Sequence, residues 1–369
     1  MKRIFYILLF IAGCKEAYTP HLKNATTNYL VVEGNIVAGD DSTFIHITRT
    51  TLVSDTSSVQ PEANATVAVE SNDGDAYQLQ NTGNGFYAAA PLHISPSKEY
   101  RLHIFTADGK EYASDFVPVK QTPPIDSVNW QFDATGGINI YVNTHDATGT
   151  TQYYRWQYTE TWEHRAFDSS ELIYDNFLRF RLPSEEIYRC WNIYTSGEII
   201  TASTTALSSD IVSQKKLINI PYESPKVRWY YSVLVTQYAL TKEGFEYWQN
   251  LKKNTEQLGS IFDPQPFADF GNMHCLSNPD EPALGFISAC STVKQRLYIE
   301  YAQVHYPYIL SDCKVFVVGP NDISTIFSQT YLYLPLRYGD FGAVLGSSTE
   351  CLDCRLQGGS NVKPPYMPR

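Results

Sequence analysis

The chain has 369 residues, of which 43% are hydrophobic and 18% charged, and its formal net charge is −11. This composition supports a sizeable buried core and excludes a disordered or coiled-coil chain. The lack of a Lys/Arg stripe argues against a nucleic-acid partner. Aromatic residues make up 14%, including 27 Tyr and 6 Trp, a bias that suits strands and half-apolar binding surfaces.

The N-terminus carries the firmest local signal. Lys2 and Arg3 precede a nine-residue apolar stretch, Ile4 to Ala12, which is too short to span a bilayer. It ends in Ile11-Ala12-Gly13-Cys14, the small-residue box that a bacterial lipoprotein signal peptidase requires. Residues 1–13 are therefore expected to be a cleaved signal peptide, with acyl chains on Cys14 anchoring the mature chain. Each buried CH₂ of those chains contributes about 0.8 kcal/mol. Residues 14–27 read as a lipidated polar tether with Pro20 and no period.

Residues 28–120 are predicted to form an immunoglobulin-like β-sandwich, and the whole chain to be mostly β. Tyr29–Ile36, Thr43–Arg49, Thr66–Glu70, Glu99–Phe105 and Glu111–Val119 alternate as strands, with turn clusters at Asn81–Gly85 and Ala107–Lys110. His46, His93 and His103 read as surface strand residues. Gln121–Ile125, with two prolines, is the expected linker.

Residues 126–369 are predicted to be a larger β-rich domain with one inserted amphipathic helix. Strands are expected at Ser127–Asp133, Ile138–Asp146, Gln152–Trp162, Val227–Ala239, Gln295–His305 and Lys314–Val318. In Gln152–Trp162 the aromatics Tyr154, Trp156, Tyr158 and Trp162 share one face, and a sandwich core is favoured over a stacking platform. Between Thr241 and Leu258, apolar residues recur at Phe245, Trp248, Leu251 and Leu258 with helical spacing. Thr241 is the expected N-cap and Gly259 the stop. The irregular stretch 262–282 follows, of a length often associated with function.

Besides Cys14 there are six cysteines: Cys190, Cys275, Cys290, Cys313, Cys351 and Cys354. In an exported chain they are disulfide candidates, and their connectivity stays open among 15 arrangements. Cys351-Leu-Asp-Cys354 lacks the second CxxC of a zinc site and the βαβ surroundings of a redox site. No metal and no cofactor are expected.

Several segments together resemble a Bacteroidota outer-membrane lipoprotein family, domain of unknown function 4249. They are Tyr29-Leu-Val-Val-Glu-Gly34, Thr106 to Ser114, Lys120-Gln-Thr-Pro-Pro-Ile-Asp-Ser127, Gly259 to Pro266, Gly271-Asn272, Gly285-Phe286, and Cys351 to Gly359 with Lys363-Pro364. The aromatic run usual at the C-terminus is reduced to Tyr366-Met367. The resemblance implies an outer-membrane lipoprotein, facing the cell surface, that accompanies a TonB-dependent receptor and captures its ligand. It implies no site residues.

No HExxH, GxSxG or P-loop motif occurs, and the acidic pairs Asp40-Asp41, Glu185-Glu186 and Asp280-Glu281 read as solvated loops rather than catalytic or calcium-binding groups. An enzyme is not expected. The expected function is a ligand-capturing accessory subunit for a peptide, glycan or chelate, and the alternatives are a structural or adhesive envelope lipoprotein or an unrecognised hydrolase. Trp229, Tyr230, Phe262, Phe267 and Asn272 are the candidate ligand or partner contacts.

Overall fold

The computed structural model describes residues 28–51, 60–256, 271–306, 312–328 and 332–368. Cys14, the expected signal peptide and tether, and the candidate contacts Phe262 and Phe267 lie outside the described residues. The chain is mostly β, an immunoglobulin-like sandwich followed by a larger β-rich region. Among the described residues one helix, Lys242–Glu256, exceeds five residues.

Period-two alternation places the first strands. Thr43–Arg49 buries Thr43, Ile45 and Ile47, and Glu99–Phe105 buries Tyr100, Leu102 and Ile104, each at the bounds the alternation predicts. Asn84 (φ 52°) and Gly85 (φ 77°) are both left-handed, as a tight hairpin requires, and join Ala76–Gly83 to Phe86–Ala89.

Hydrogen bonding runs in a closed circuit. Leu30–Ala38 pairs with Thr43–Arg49, which pairs with Phe86–Ala89; the ladder continues through Ala76–Gly83, Thr66–Ser71 and Glu99–Phe105 to Val117–Lys120. Val117–Lys120 then pairs in parallel with Ser288–Glu300, which pairs in parallel with Leu30–Ala38. Closure leaves these strands little edge to recruit another chain.

The sandwich expected over 28–120 thus draws further strands from residues 271–291. Met273–Cys275 pairs with Glu111–Ser114, Ala283–Leu284 pairs with Leu30–Ala38, and Met273, Cys275, Ala283, Ile287 and Ala289 enter its core. Alternation is local and does not reveal a partner strand more than 150 residues away. The expected strand Glu111–Val119 is interrupted, becoming Glu111–Ser114 and Val117–Lys120.

The second unit is also two-layered. Tyr153–Arg165, Tyr230–Ala239 and Ser288–Glu300 are antiparallel neighbours, and Ile125–Phe132, Ile138–His145 and Ile211–Ile220 form a separate three-stranded sheet. Tyr154, Trp156, Tyr158, Val233 and Val235 from the first layer meet Ile138, Ile140 and Val142 from the second. The aromatic ridge is core: Tyr154 and Trp156 are fully buried. Trp156 Nε1 donates to Gln237 Oε1 at 2.8 Å, and Gln237 Nε2 donates to the carbonyl of Pro123 at 2.9 Å. Thr144 Oγ1 donates to the Pro124 carbonyl at 2.8 Å, so the Pro-rich connector is bonded into this unit.

Residues 172–180 and 316–348 add two small sheets over a cluster of Leu172, Val318, Phe327 and Val344. Disulfide Cys190–Cys354 staples this region to the larger sheet through strand Arg189–Thr195, and Cys313–Cys351 closes a link within the region. Each contributes about 2–4 kcal/mol. The two cysteines of the CxxC segment therefore reach different partners. Cys275 and Cys290, also disulfide candidates, are instead buried free thiols. Both point into packed strands, and burial pushes the Cys290 thiol up to about 12. Leaving Cys14 aside, we predict that Ellman's reagent finds no reactive thiol in the native, non-reduced protein and two after denaturation. A count of zero in the denatured chain would mean three bridges.

Candidate functional site

A cleft of about 630 Å³ lies over one face of the sheet that runs through both units. Strand register assembles its floor. Arg155 is directly opposite Tyr238, which is opposite Thr292. On the far side Glu33 is opposite His46, which is opposite Phe86, and Asn35 is opposite Phe44. Residues directly opposite in neighbouring strands project from the same face, so these side chains share one surface.

The helix and one loop rim this floor. Thr241 Oγ1 accepts from Gly244 N at 3.1 Å, the expected N-cap, and Glu243 sits in the first turn. Phe245 packs on Tyr153 at a ring separation of 5.0 Å, and Gln249 Nε2 donates to Thr201 Oγ1 at 2.6 Å. These contacts place Trp248 on the cleft wall. The Ser196–Ile199 loop faces it: Ser196 N donates to the Tyr158 carbonyl at 2.9 Å, and Lys252 Nζ donates to the Ile199 carbonyl at 2.6 Å.

Arg155 is the central feature. Its guanidinium carbon lies 4.1 Å from the Trp248 ring centroid and 4.8 Å from that of Tyr238. It makes no hydrogen bond or ion pair with any described residue. Burial lowers its pKa from the ordinary arginine value, partly offset by Tyr238 and Cys290, and an arginine so placed still carries its charge at neutral pH. Burial raises the Tyr238 phenol, so that neighbour is neutral. The other cation of the cleft, Lys294, is neutralised by Asp41 Oδ1 at 2.8 Å. Burial works against ionising Asp41, but hydrogen bonds from Lys294 and Thr292 outweigh it and hold the carboxyl below its usual range.

Aromatic surface continues beyond Arg155. His46 stacks on Phe86 with ring centroids 4.0 Å apart, and Phe44 and Phe86 are 60% and 45% exposed. Glu33 approaches His46 Nδ1 at 3.4 Å. Trp248 Nε1 is buried without an acceptor. The arrangement is a polar and aromatic surface with one cation that no described residue pairs, and none of its lining residues forms a nucleophile–base pair.

The residues expected from the sequence as contacts lie elsewhere. Trp229 is covered by Arg165, whose guanidinium is 3.7 Å from its ring centroid, and Tyr230 is half-buried opposite Glu300. Asn272 is a correction: it is 5% exposed, and its side chain bonds both backbone groups of Ile287, at 2.8 and 3.0 Å. It clips the 271–291 segment in place and is not a surface contact. The acidic pairs are also not free loops. Asp41 holds Lys294, Glu185 holds Arg179 at 2.7 Å, and Glu281 holds Lys110 at 2.7 Å and Tyr112 at 2.6 Å.

His103 is half-buried between Glu70 and Glu111, at 2.6 and 2.8 Å. Among the described residues one group has metal-site spacing, His164, Cys190 and Cys354. Its two sulfurs are already joined as a disulfide, and His164 Nε2 bonds the Cys354 carbonyl at 2.8 Å.

The sequence matches the domain of unknown function DUF4249 over residues 15–296. The chain belongs to that family. Every residue lining the cleft falls inside the DUF4249 span, while most of the disulfide-stapled region lies beyond it. No curated protein matches. Among solved structures, chicken CNTN1 FN1-FN3 domains match at 12% identity and TM-score 0.19, covering 57% of this chain and 62% of that one. No described helix is long and apolar enough to cross a membrane.

Gly34 tests how closely the floor is packed. Its φ is +142°, and an added Cβ would lie 2.4 Å from the Phe44 carbonyl oxygen. We predict that Gly34→Ala destabilises the protein by more than about 1 kcal/mol in urea unfolding. An unchanged midpoint would contradict this packing.

Proposed function

We propose that this protein is a lipid-anchored outer-membrane lipoprotein that captures a ligand in the cleft and presents it to a TonB-dependent transporter. The observation that carries the reading is Arg155: a charged side chain against two aromatic rings, facing a cleft, with no hydrogen-bond or ion-pair partner among the described residues. A half-buried cation without a counter-ion is poised for a ligand that supplies the missing charge. The Ile11-Ala12-Gly13-Cys14 box supports the anchor, and the resemblance to receptor-associated lipoproteins supports the partner. Binding without turnover fits the cleft's composition.

The disulfide-stapled region offers surface for the partner. Phe180 and Tyr338 pack edge to face at 5.6 Å while remaining exposed, and Phe341 is fully exposed with a left-handed backbone, φ 55°. Exposed apolar groups gathered in this way mark interaction surfaces.

The test is purification from native membranes in mild detergent. The account predicts that the wild-type chain, labelled by palmitate at Cys14, brings down a β-barrel receptor, and that Cys14→Ser loses the label and membrane sedimentation. Recovery of the acylated protein without any barrel would reject the transporter role.

A further inference from the structure

We infer that the cleft recognises a monoanionic carboxylate on an extended body that carries an aromatic or large apolar group, an inference that rests on ligand capture by this cleft. Arg155 supplies the electrostatic half. A guanidinium presents donors in a planar fork that matches a carboxylate, and among the described residues no acceptor competes for them. Contacts with the Trp248 and Tyr238 rings hold the guanidinium half-buried at the cleft, where a charge-assisted hydrogen bond is stronger than in bulk water.

The charge balance of the cleft selects a monoanion. Lys294 is occupied by Asp41, which leaves Arg155 as the unpaired lining cation, while Glu33 and Glu198 contribute negative charge at the rim. A dianionic phosphate would gain one guanidinium and meet two carboxylates. A carboxylate places a single charge on Arg155.

Aromatic groups supply the other half. Phe44 and the stacked His46–Phe86 pair lie on the same sheet face as Arg155, several strands away, and are exposed to the cleft. A ligand with its carboxylate on Arg155 reaches them only if its body extends across about four strand spacings, roughly 19 Å, where an aromatic contact adds to area burial. A peptide with a free C-terminus and an aromatic or large apolar side chain several residues upstream has this chemistry.

Calorimetric titration of the detergent-solubilised full chain tests the inference with matched probes. The acetylated pentapeptide Tyr-Gly-Gly-Gly-Gly with a free C-terminus is expected to bind at least tenfold more tightly than its C-terminal amide, and phenyl phosphate more weakly than the acid. Arg155→Gln should bring the acid down to the affinity of the amide. Arg155→Lys, which keeps the charge but not the fork, should fall between, and Trp248→Leu should weaken acid and amide together. Equal binding of acid and amide to the wild-type chain, a preference that survives Arg155→Gln, tighter binding of phenyl phosphate, or no binding of any probe would each overturn the assignment. The wild-type comparison needs no variant to fold. The titration also needs no transporter, so its outcome is separate from that of the co-purification.

Discussion

Strand Ser288–Glu300 is hydrogen-bonded along both edges and in both directions. One edge lies antiparallel to Tyr230–Ala239 over nine residue pairs, Tyr230↔Glu300 to Tyr238↔Thr292. At Ser288–Ser291 the strand instead lies parallel to Leu30–Ala38 on one edge and, at Ala289–Cys290, parallel to Val117–Lys120 on the other. Backbone groups buried in this position must be paired, and the only partners within reach belong to two different units. The consequence is a sheet that runs from the first sandwich into the second without a break. Closure of the first unit, the route of the 271–291 segment and the floor of the cleft all follow from it.

A floor built this way is stiffer than one made by two domains touching. Arg155 and Phe86 sit on strands from separate units, yet strand register relates them, not a flexible joint. Sites on sheets hold their groups closer to a fixed geometry than sites on loops. The helix adds Trp248 as a wall, itself fixed by the Thr241 cap and by the Lys252 and Gln249 bonds to the opposite rim. Such a surface favours recognition of a shape and a charge over large induced fit.

Local physics was legible where the answer is local. Thr43–Arg49 and Glu99–Phe105 follow from alternation, and the start of the helix follows from Thr241 and the apolar spacing. The aromatic ridge Tyr154–Trp156–Tyr158 follows from the same period-two reading. What was not legible is long-range pairing. The disulfide partners of Cys190 and Cys313 are 164 and 38 residues away, and nothing local in the sequence sets the free Cys275 and Cys290 apart from them. Arg155 appears in the sequence as the polar alternate of an aromatic strand, and nothing local distinguishes it from Gln157 or Thr159. Its importance arises from Tyr238 and Trp248, more than 80 positions on. Asn272 shows the opposite error, a polar residue between turns that proves to be a buried backbone clip.

The central claim is that the shared strand makes the two units one folding unit. All six tryptophans lie between Trp130 and Trp248, so tryptophan fluorescence reports on the second unit, while far-UV circular dichroism reports on the strands of both. Urea unfolding followed by the two signals is the most direct measurement. The account predicts a single transition with coincident midpoints, as for one cooperative unit. A dichroism transition that splits, with one part separated from the fluorescence change, would show the units melting independently and would contradict it.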